Sequence, residues 1–230
     1  SKDIDGRAAD VLALTGAVVD RARAALAAED MKAIEFAVDN VSFYHEATAP
    51  KPQVVEAAPG VRCTRLWRPI EACGLYVPAG SAPLVSTLIM LAAPARAAGV
   101  PNRVLVSPLK GDGETHPALI VAAALCGVER IYRVGGAQAI AALTFGAGMP
   151  RADKIFGPGN AYVAEAKRYA ASLPNGPAID LPAGPSELMV VADAGADPAL
   201  VAADLLSQAE HDADAQVVLA STSAELIDRV

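Results

Sequence analysis

From residue 73 onward, short β-rich runs and helical runs alternate. CGLYV at 73–77 leads to a helix opening near Ser81, RVLVS at 103–107 to a helix from Thr115, RIYRV at 130–134 to a helix from Ala137, and KIF at 154–156 to a helix from Ala161. Successive strands separated by helices cannot pair as hairpins; they pair in parallel through right-handed crossovers, with the helices covering the sheet. This alternation predicts an α/β protein built on a parallel sheet. Ser81, Thr115 and Asn160 are good N-cap residues, and Pro83 and Pro117 fall in first turns. Pro94 is expected to kink or end its helix.

A further unit runs from ELMVV at 187–191, through a helix capped by Asp197 with Pro198 at its first position, to QVVLA at 216–220. Thr222 and Glu225 then stand at capping-box spacing, opening a helix with room for two turns before Val230. The pattern reads as an α/β protein cut short. Upstream, the apolar residues between Ile4 and Ala47 recur at helical spacing, as in Ile34, Val38 and Val41, and predict two helices. A proline-rich link at 49–53 precedes VRCTRLWRPI at 61–70, where the sheet is expected to begin.

Composition narrows the partners. The 230 residues are 53% hydrophobic and 20% charged, enough apolar material for a packed core. With 19 basic and 26 acidic residues the net charge is -7, which repels phosphate backbones and anionic membranes, so nucleic acid and membrane are not expected partners. Cys63, Cys73 and Cys126 have no C-x-x-C spacing and read as reduced core residues. The N-terminal residues lack a signal-peptide pattern, and the most apolar run, Ala82 to Val100, is interrupted by Pro83, Pro94 and Arg96. A cytoplasmic location is the expectation.

Four glycine-rich loops stand at strand-to-helix or loop-to-strand junctions: VPAGSAP at 77–83, VGGAQAI at 134–140, GPGNAYV at 157–163 and PAGPSE at 182–187. Ligands of parallel sheets bind where such loops feed helix N-termini. Each loop alone also reads as a tight turn with a helix cap. The G-x-G-x-x-G fingerprint is absent, because Tyr162 stands where its third glycine belongs. Gln138 and Asn160 could offer amide hydrogen bonds to ribose or phosphate, and Tyr76 could stack on the same ligand or serve as a core aromatic. In DPALVAADLLSQAEHD, Val201 and Leu205 set an inward stripe that Gln208 and His211 continue, with Asp204 on nearly the same face. An imidazole and a side-chain oxygen one turn apart can grip a divalent metal. Equally, His211 could interact with the helix dipole while Gln208 bonds to backbone. His45 and His116 are assigned to structure or solvent.

RVGGAQAIAALTFG, DKIFGPGNAYVAEAKR, IDLPAGPSELMVVAD and ADLLSQAEHDADAQVVL together resemble histidinol dehydrogenase, in unbroken order from about Gly60 to Ala220. The resemblance implies a homodimeric enzyme that uses NAD and Zn2+ to oxidise L-histidinol through L-histidinal to L-histidine, the last step of histidine biosynthesis. Carried over by position, it implies NAD contacts from Tyr76, Gln138 and Asn160, a substrate contact from Ser186, and zinc and substrate contacts from Gln208 and His211. It also implies Rossmann-like units in a discontinuous arrangement: residues 76–186 inserted into a second unit formed by 1–75 and 187–230, the latter incomplete. The family's catalytic Glu-His pair and its remaining Asp and His zinc ligands fall beyond Val230, so no catalytic residue is expected in this chain, and the chain alone is expected to be inactive. Ala79 stands in a loop that usually reads P-G-G, and Asp212 replaces a common glycine. Two other readings remain: a relative that oxidises a different alcohol, and a non-catalytic piece that keeps nucleotide binding or subunit association.

Overall fold

The strand β4 (Ala72–Tyr76) is buried at every residue because it lies inside a six-stranded sheet with neighbours on both sides. The computed structural model describes residues 9–78, 83–109, 113–181, 187–210 and 215–230. Besides β4, the sheet contains β1 (Asp10–Ala13), β5 (Asn102–Val106), β6 (Arg130–Arg133), β7 (Lys154–Phe156) and β8 (Ala178–Ile179), in the order β1-β6-β5-β4-β7-β8. All neighbours from β6 to β8 pair in parallel, as the alternating pattern predicts. Only β1 runs antiparallel, with Val11 opposite Tyr132.

Alternate residues of each strand face opposite helical layers, the period-two consequence of the pleat. Leu75, Leu105 and Ile131 enter one core with α1 (Gly16–Ala24), α2 (Ala28–Ala47), α3 (Val85–Ala97) and α4 (Pro117–Leu125). Tyr76, Val106 and Tyr132 enter the other with α5 (Gly136–Phe145) and α6 (Ala161–Ser172). Helix α4 is apolar almost all round, and α1, α2 and α3 all pack against it. Arg96 ties three of these helices together, donating to the Leu125 carbonyl at 2.7 Å and to the Ser42 hydroxyl at 2.9 Å.

Several local expectations shift. Residues 10–13 form an edge strand instead of continuing the helical pattern; the Arg133–Asp10 ion pair and the β6 ladder hold them there. The sheet does not begin at residue 61: β2 (Gln53–Ala58) and β3 (Val61–Arg65) form a separate antiparallel hairpin, exposed along both strands. Cys63 lies on that hairpin and is exposed, so it is not a core residue, whereas Cys73 and Cys126 are buried. The α4 cap is His116, whose Nδ1 accepts from the Ala118 amide at 3.2 Å, instead of Thr115. Pro83 precedes α3, whose first residue is Val85, and α3 runs through Pro94 to Ala97. Pro94 is only one turn from the helix end, where its missing N–H forfeits a single bond. The expectations at Ser81, Ala79 and Asp212 lie outside the described residues.

The chain divides into two compact units, Ser1–Pro182 and Ala183–Val230. The first therefore includes the helices α1 and α2 along with the sheet. In the second, the parallel pair β9 (Glu187–Ala192) and β10 (Gln216–Ser221) is joined through α7 (Pro198–Ala209) and followed by α8 (Ala224–Arg229). Asp197 caps α7, accepting from the Ala199 amide at 2.9 Å, as expected. Ser223, one residue later than expected, caps α8 by accepting from the Leu226 amide at 3.2 Å. Met189, Val191 and Val218 remain exposed on the two-stranded sheet.

Candidate nucleotide site at the sheet switch point

Strand order reverses at β4: the chain proceeds outward through β5 and β6, then returns to place β7 on the other flank of β4. The helices that follow β4 and β7, α3 and α6, lie on opposite faces of the sheet, the arrangement of a switch point. Three of the expected nucleotide residues, Tyr76, Gln138 and Asn160, follow or end strands at this edge.

Tyr76 ends β4 and is 3% exposed. Its phenolic oxygen accepts the Gly136 amide at 3.0 Å, so the ring is a core residue whose polar tip holds the first turn of α5. Gln138 lies two residues into that helix, half-buried. Asn160 caps α6, with Oδ1 accepting from the Val163 amide at 3.1 Å, and it is exposed. Both helix starts direct first-turn N–H groups and the positive end of the helix dipole to the same sheet edge. Anionic or polar ligand oxygens suit such a place.

Between β7 and α6 the chain comes close to the backbone of β4. Gly157 has φ +118, and a Cβ there would sit 2.0 Å from the Tyr76 carbonyl oxygen. No side chain fits, so glycine is required by both conformation and space. The peptide groups of Gly157 are gripped from two sides. Its N–H donates to Asp180 Oδ2 at 2.7 Å, and its carbonyl accepts from Lys167 Nζ at 2.8 Å. Lys167 also forms an ion pair with Asp180, and only 2% of the lysine is exposed. Sequence reading missed this pair. The available signal was a lysine on the buried stripe of a helix, between Val163 and Ala170, where charge is costly without a partner.

In the second unit, Val201 is buried, Leu205 and Gln208 are half-buried, and Asp204 is exposed, so the inward stripe excludes Asp204. Gln208 Nε2 is buried and makes no hydrogen bond among the described residues. An unsatisfied buried amide is costly, and a ligand would relieve it. Ser186 and His211 lie outside the described residues. Among those described, no three His, Cys, Asp or Glu side chains converge as a metal site. The orphaned atom is an N–H donor, which suits a ligand oxygen and not a cation, so a metal at Gln208 would have to use Oε1. Burial pushes the Cys73 and Cys126 thiols up to about 11 despite the lowering influence of nearby arginines, so neither is a thiolate near neutrality.

The fold is that of an α/β protein whose parallel sheet has a strand-order switch point at β4. The profile of the histidinol dehydrogenase family matches residues 1–230. The chain is 52% identical over 227 residues to histidinol dehydrogenase from Xanthomonas euvesicatoria pv. vesicatoria, covering 98% of this chain and 52% of that protein. It is 49% identical over 231 residues to histidinol dehydrogenase of Salmonella typhimurium, covering all of this chain and 52% of the relative. A crystal structure of histidinol dehydrogenase from Elizabethkingia anophelis superposes with TM-score 0.90 at 44% identity, over 99% of this chain and 52% of that one. The chain belongs to the histidinol dehydrogenase family, and it spans about half the length of these relatives. Among the described residues, no helix is long and apolar enough to cross a membrane.

Proposed function

We propose that this chain carries the nucleotide-binding part and a portion of the metal-binding part of an NAD- and zinc-dependent oxidoreductase that converts L-histidinol through L-histidinal to L-histidine. The observation that carries the reading is family membership over the entire chain together with the strand-order switch at β4, beside which α5 and α6 begin. Gln138 and Asn160 bind NAD through their side-chain amides. Tyr76 acts at the same place by holding the α5 first turn through Gly136. Ser186 contacts the substrate, and Gln208 and His211 supply two zinc donors that also face it. Gln208 and His211 would hold the zinc, and the chemistry it would supply there when bound is orientation of the substrate. Discontinuous units, with 76–186 inserted between 1–75 and 187–230, a homodimeric assembly and a cytoplasmic location belong to the same proposal.

The 230 residues span about half of the relatives, and the resemblance assigns the acid-base pair to the other half, so on this proposal these residues bind ligands and turn over only with that half supplied. NADH formation at saturating L-histidinol, NAD and zinc tests this, with the chain alone and with the C-terminal half of a relative supplied as a separate polypeptide. Turnover in the mixture and none from the chain alone supports the reading. Silence in both, with each piece folded, contradicts it, and NADH from another alcohol in preference to histidinol overturns the substrate assignment.

A further inference from the structure

Lys167 is buried more deeply than any function as a surface charge requires, yet it sits on α6 where a leucine or methionine would fill the same space. The Lys167 ammonium is buried while the Asp180 side chain keeps 28% of its surface exposed, so desolvating the lysine offsets much of the pair's attraction and its net contribution to stability is small. What the pair does contribute is position. Lys167 and Asp180 read both peptide groups of Gly157, one through the carbonyl at 2.8 Å and the other through the N–H at 2.7 Å. They also bond to each other, closing a ring of three groups. Asp180 is itself anchored, since its own amide donates to the Ile155 carbonyl on β7 at 3.2 Å. The ring thus fixes a glycine of positive φ, three positions before Asn160, against the Tyr76 carbonyl.

We infer that Lys167 and Asp180 are positioning residues for dinucleotide binding: by clamping Gly157 they hold the Gly157–Asn160 turn at the distance from β4 at which the α6 N-terminus and Asn160 meet the ligand. This rests on the nucleotide reading of the switch point. A clamp of this kind acts on ligand affinity through preorganisation, because an unclamped turn must be ordered at binding. Charge matters in both members. The lysine must donate to two acceptors at once, and the carboxylate must accept from a backbone amide and an ammonium at once.

The test is NAD titration of the 230-residue chain by calorimetry, with the unsubstituted protein, Lys167→Met, Asp180→Asn and Lys167→Arg. Urea unfolding of each protein provides the stability comparison. The expected result is a loss of NAD affinity of tenfold or more in Lys167→Met, a smaller loss in Asp180→Asn, which keeps an acceptor for the Gly157 amide, and partial recovery in Lys167→Arg. Amide hydrogen exchange at Gly157 should accelerate in the weakened variants while exchange in β5 stays as it was. If Lys167→Met does not fold, Asp180→Asn carries the same comparison. Unchanged NAD affinity in a folded variant whose urea midpoint has moved makes the pair merely structural and overturns the inference. Absence of NAD binding by the unsubstituted chain removes the nucleotide reading itself, and the inference with it.

Discussion

Gly157→Ala is the substitution whose cost follows most directly from the geometry. The new Cβ lands 2.0 Å from the Tyr76 carbonyl oxygen, about 1.4 Å inside ordinary van der Waals contact. The obstacle is backbone on the central strand β4, which cannot swing aside as a side chain could. The turn must withdraw instead, and a withdrawal of that size takes Gly157 out of reach of either Asp180 or Lys167. Conformational strain at a φ this far from the allowed wells is worth about 1–2 kcal/mol. Losing one charge-assisted hydrogen bond adds about 1.5–3 kcal/mol. The expected destabilisation is therefore about 3–5 kcal/mol, which at the usual urea sensitivity lowers the unfolding midpoint by roughly 1–2 M. Gly148→Ala is the matched control: its φ of +73 is the ordinary left-handed conformation and a Cβ there meets nothing within 4 Å, so it should cost about 1 kcal/mol. Urea unfolding followed by circular dichroism separates the two. Equal losses in both variants would refute the close approach to β4 and the clamp built on it.

Tyr76→Phe removes the acceptor of the Gly136 amide inside the core and should cost about 1–2 kcal/mol in urea unfolding, with a weakened NAD titration; an unchanged midpoint would remove the phenol from its supporting role. Gln208→Leu replaces a buried, unpartnered amide, so stability should hold or rise by about 1 kcal/mol while zinc affinity, read by calorimetry, falls; a drop in stability with zinc binding intact would exclude Gln208 as a metal donor. In the native chain Cys63 alone should react rapidly with a thiol reagent, and three thiols should react after unfolding; fast labelling of two or three in the native state would contradict the burial. Because Cys73 and Cys126 titrate near 11 when folded and near 9.0 when unfolded, the unfolded chain releases their protons first, and the stability that their burial protects should decline as pH rises from 9 to 11. A urea midpoint that stays flat across that range, relative to a Cys73→Ala and Cys126→Ala control, would show that the thiols are solvated.

What could be read from sequence was what repeats. The alternation of apolar runs from 73 to 164 determined parallel β4 to β7 because helices between strands leave no other pairing, and Asn160 and Asp197 were legible because capping is a local event of two or three residues. Residues 10–13 were not legible. Four residues carry too little periodicity to distinguish a strand from the start of a helix, and the decision is made by β6, over a hundred residues away. The hairpin around Cys63 failed for another reason: Val61–Arg65 has the alternation of a strand, but which sheet it joins is set by its pairing with residues 53–58, which the run itself does not encode. At the switch point, Gln138 and Asn160 announced themselves by sitting after glycines. Lys167 and Asp180 act on backbone through two long-range contacts, and no short motif encodes that.

The central claim is that NAD binds at the carboxyl end of β4, between the first turns of α5 and α6. Amide hydrogen exchange of this chain with and without saturating NAD tests it most directly. The account predicts slowed exchange at Gly136–Gln138 and Gly157–Val163, with no change along the β2–β3 hairpin. Protection confined to other segments, with these two turns unaffected, would contradict the site.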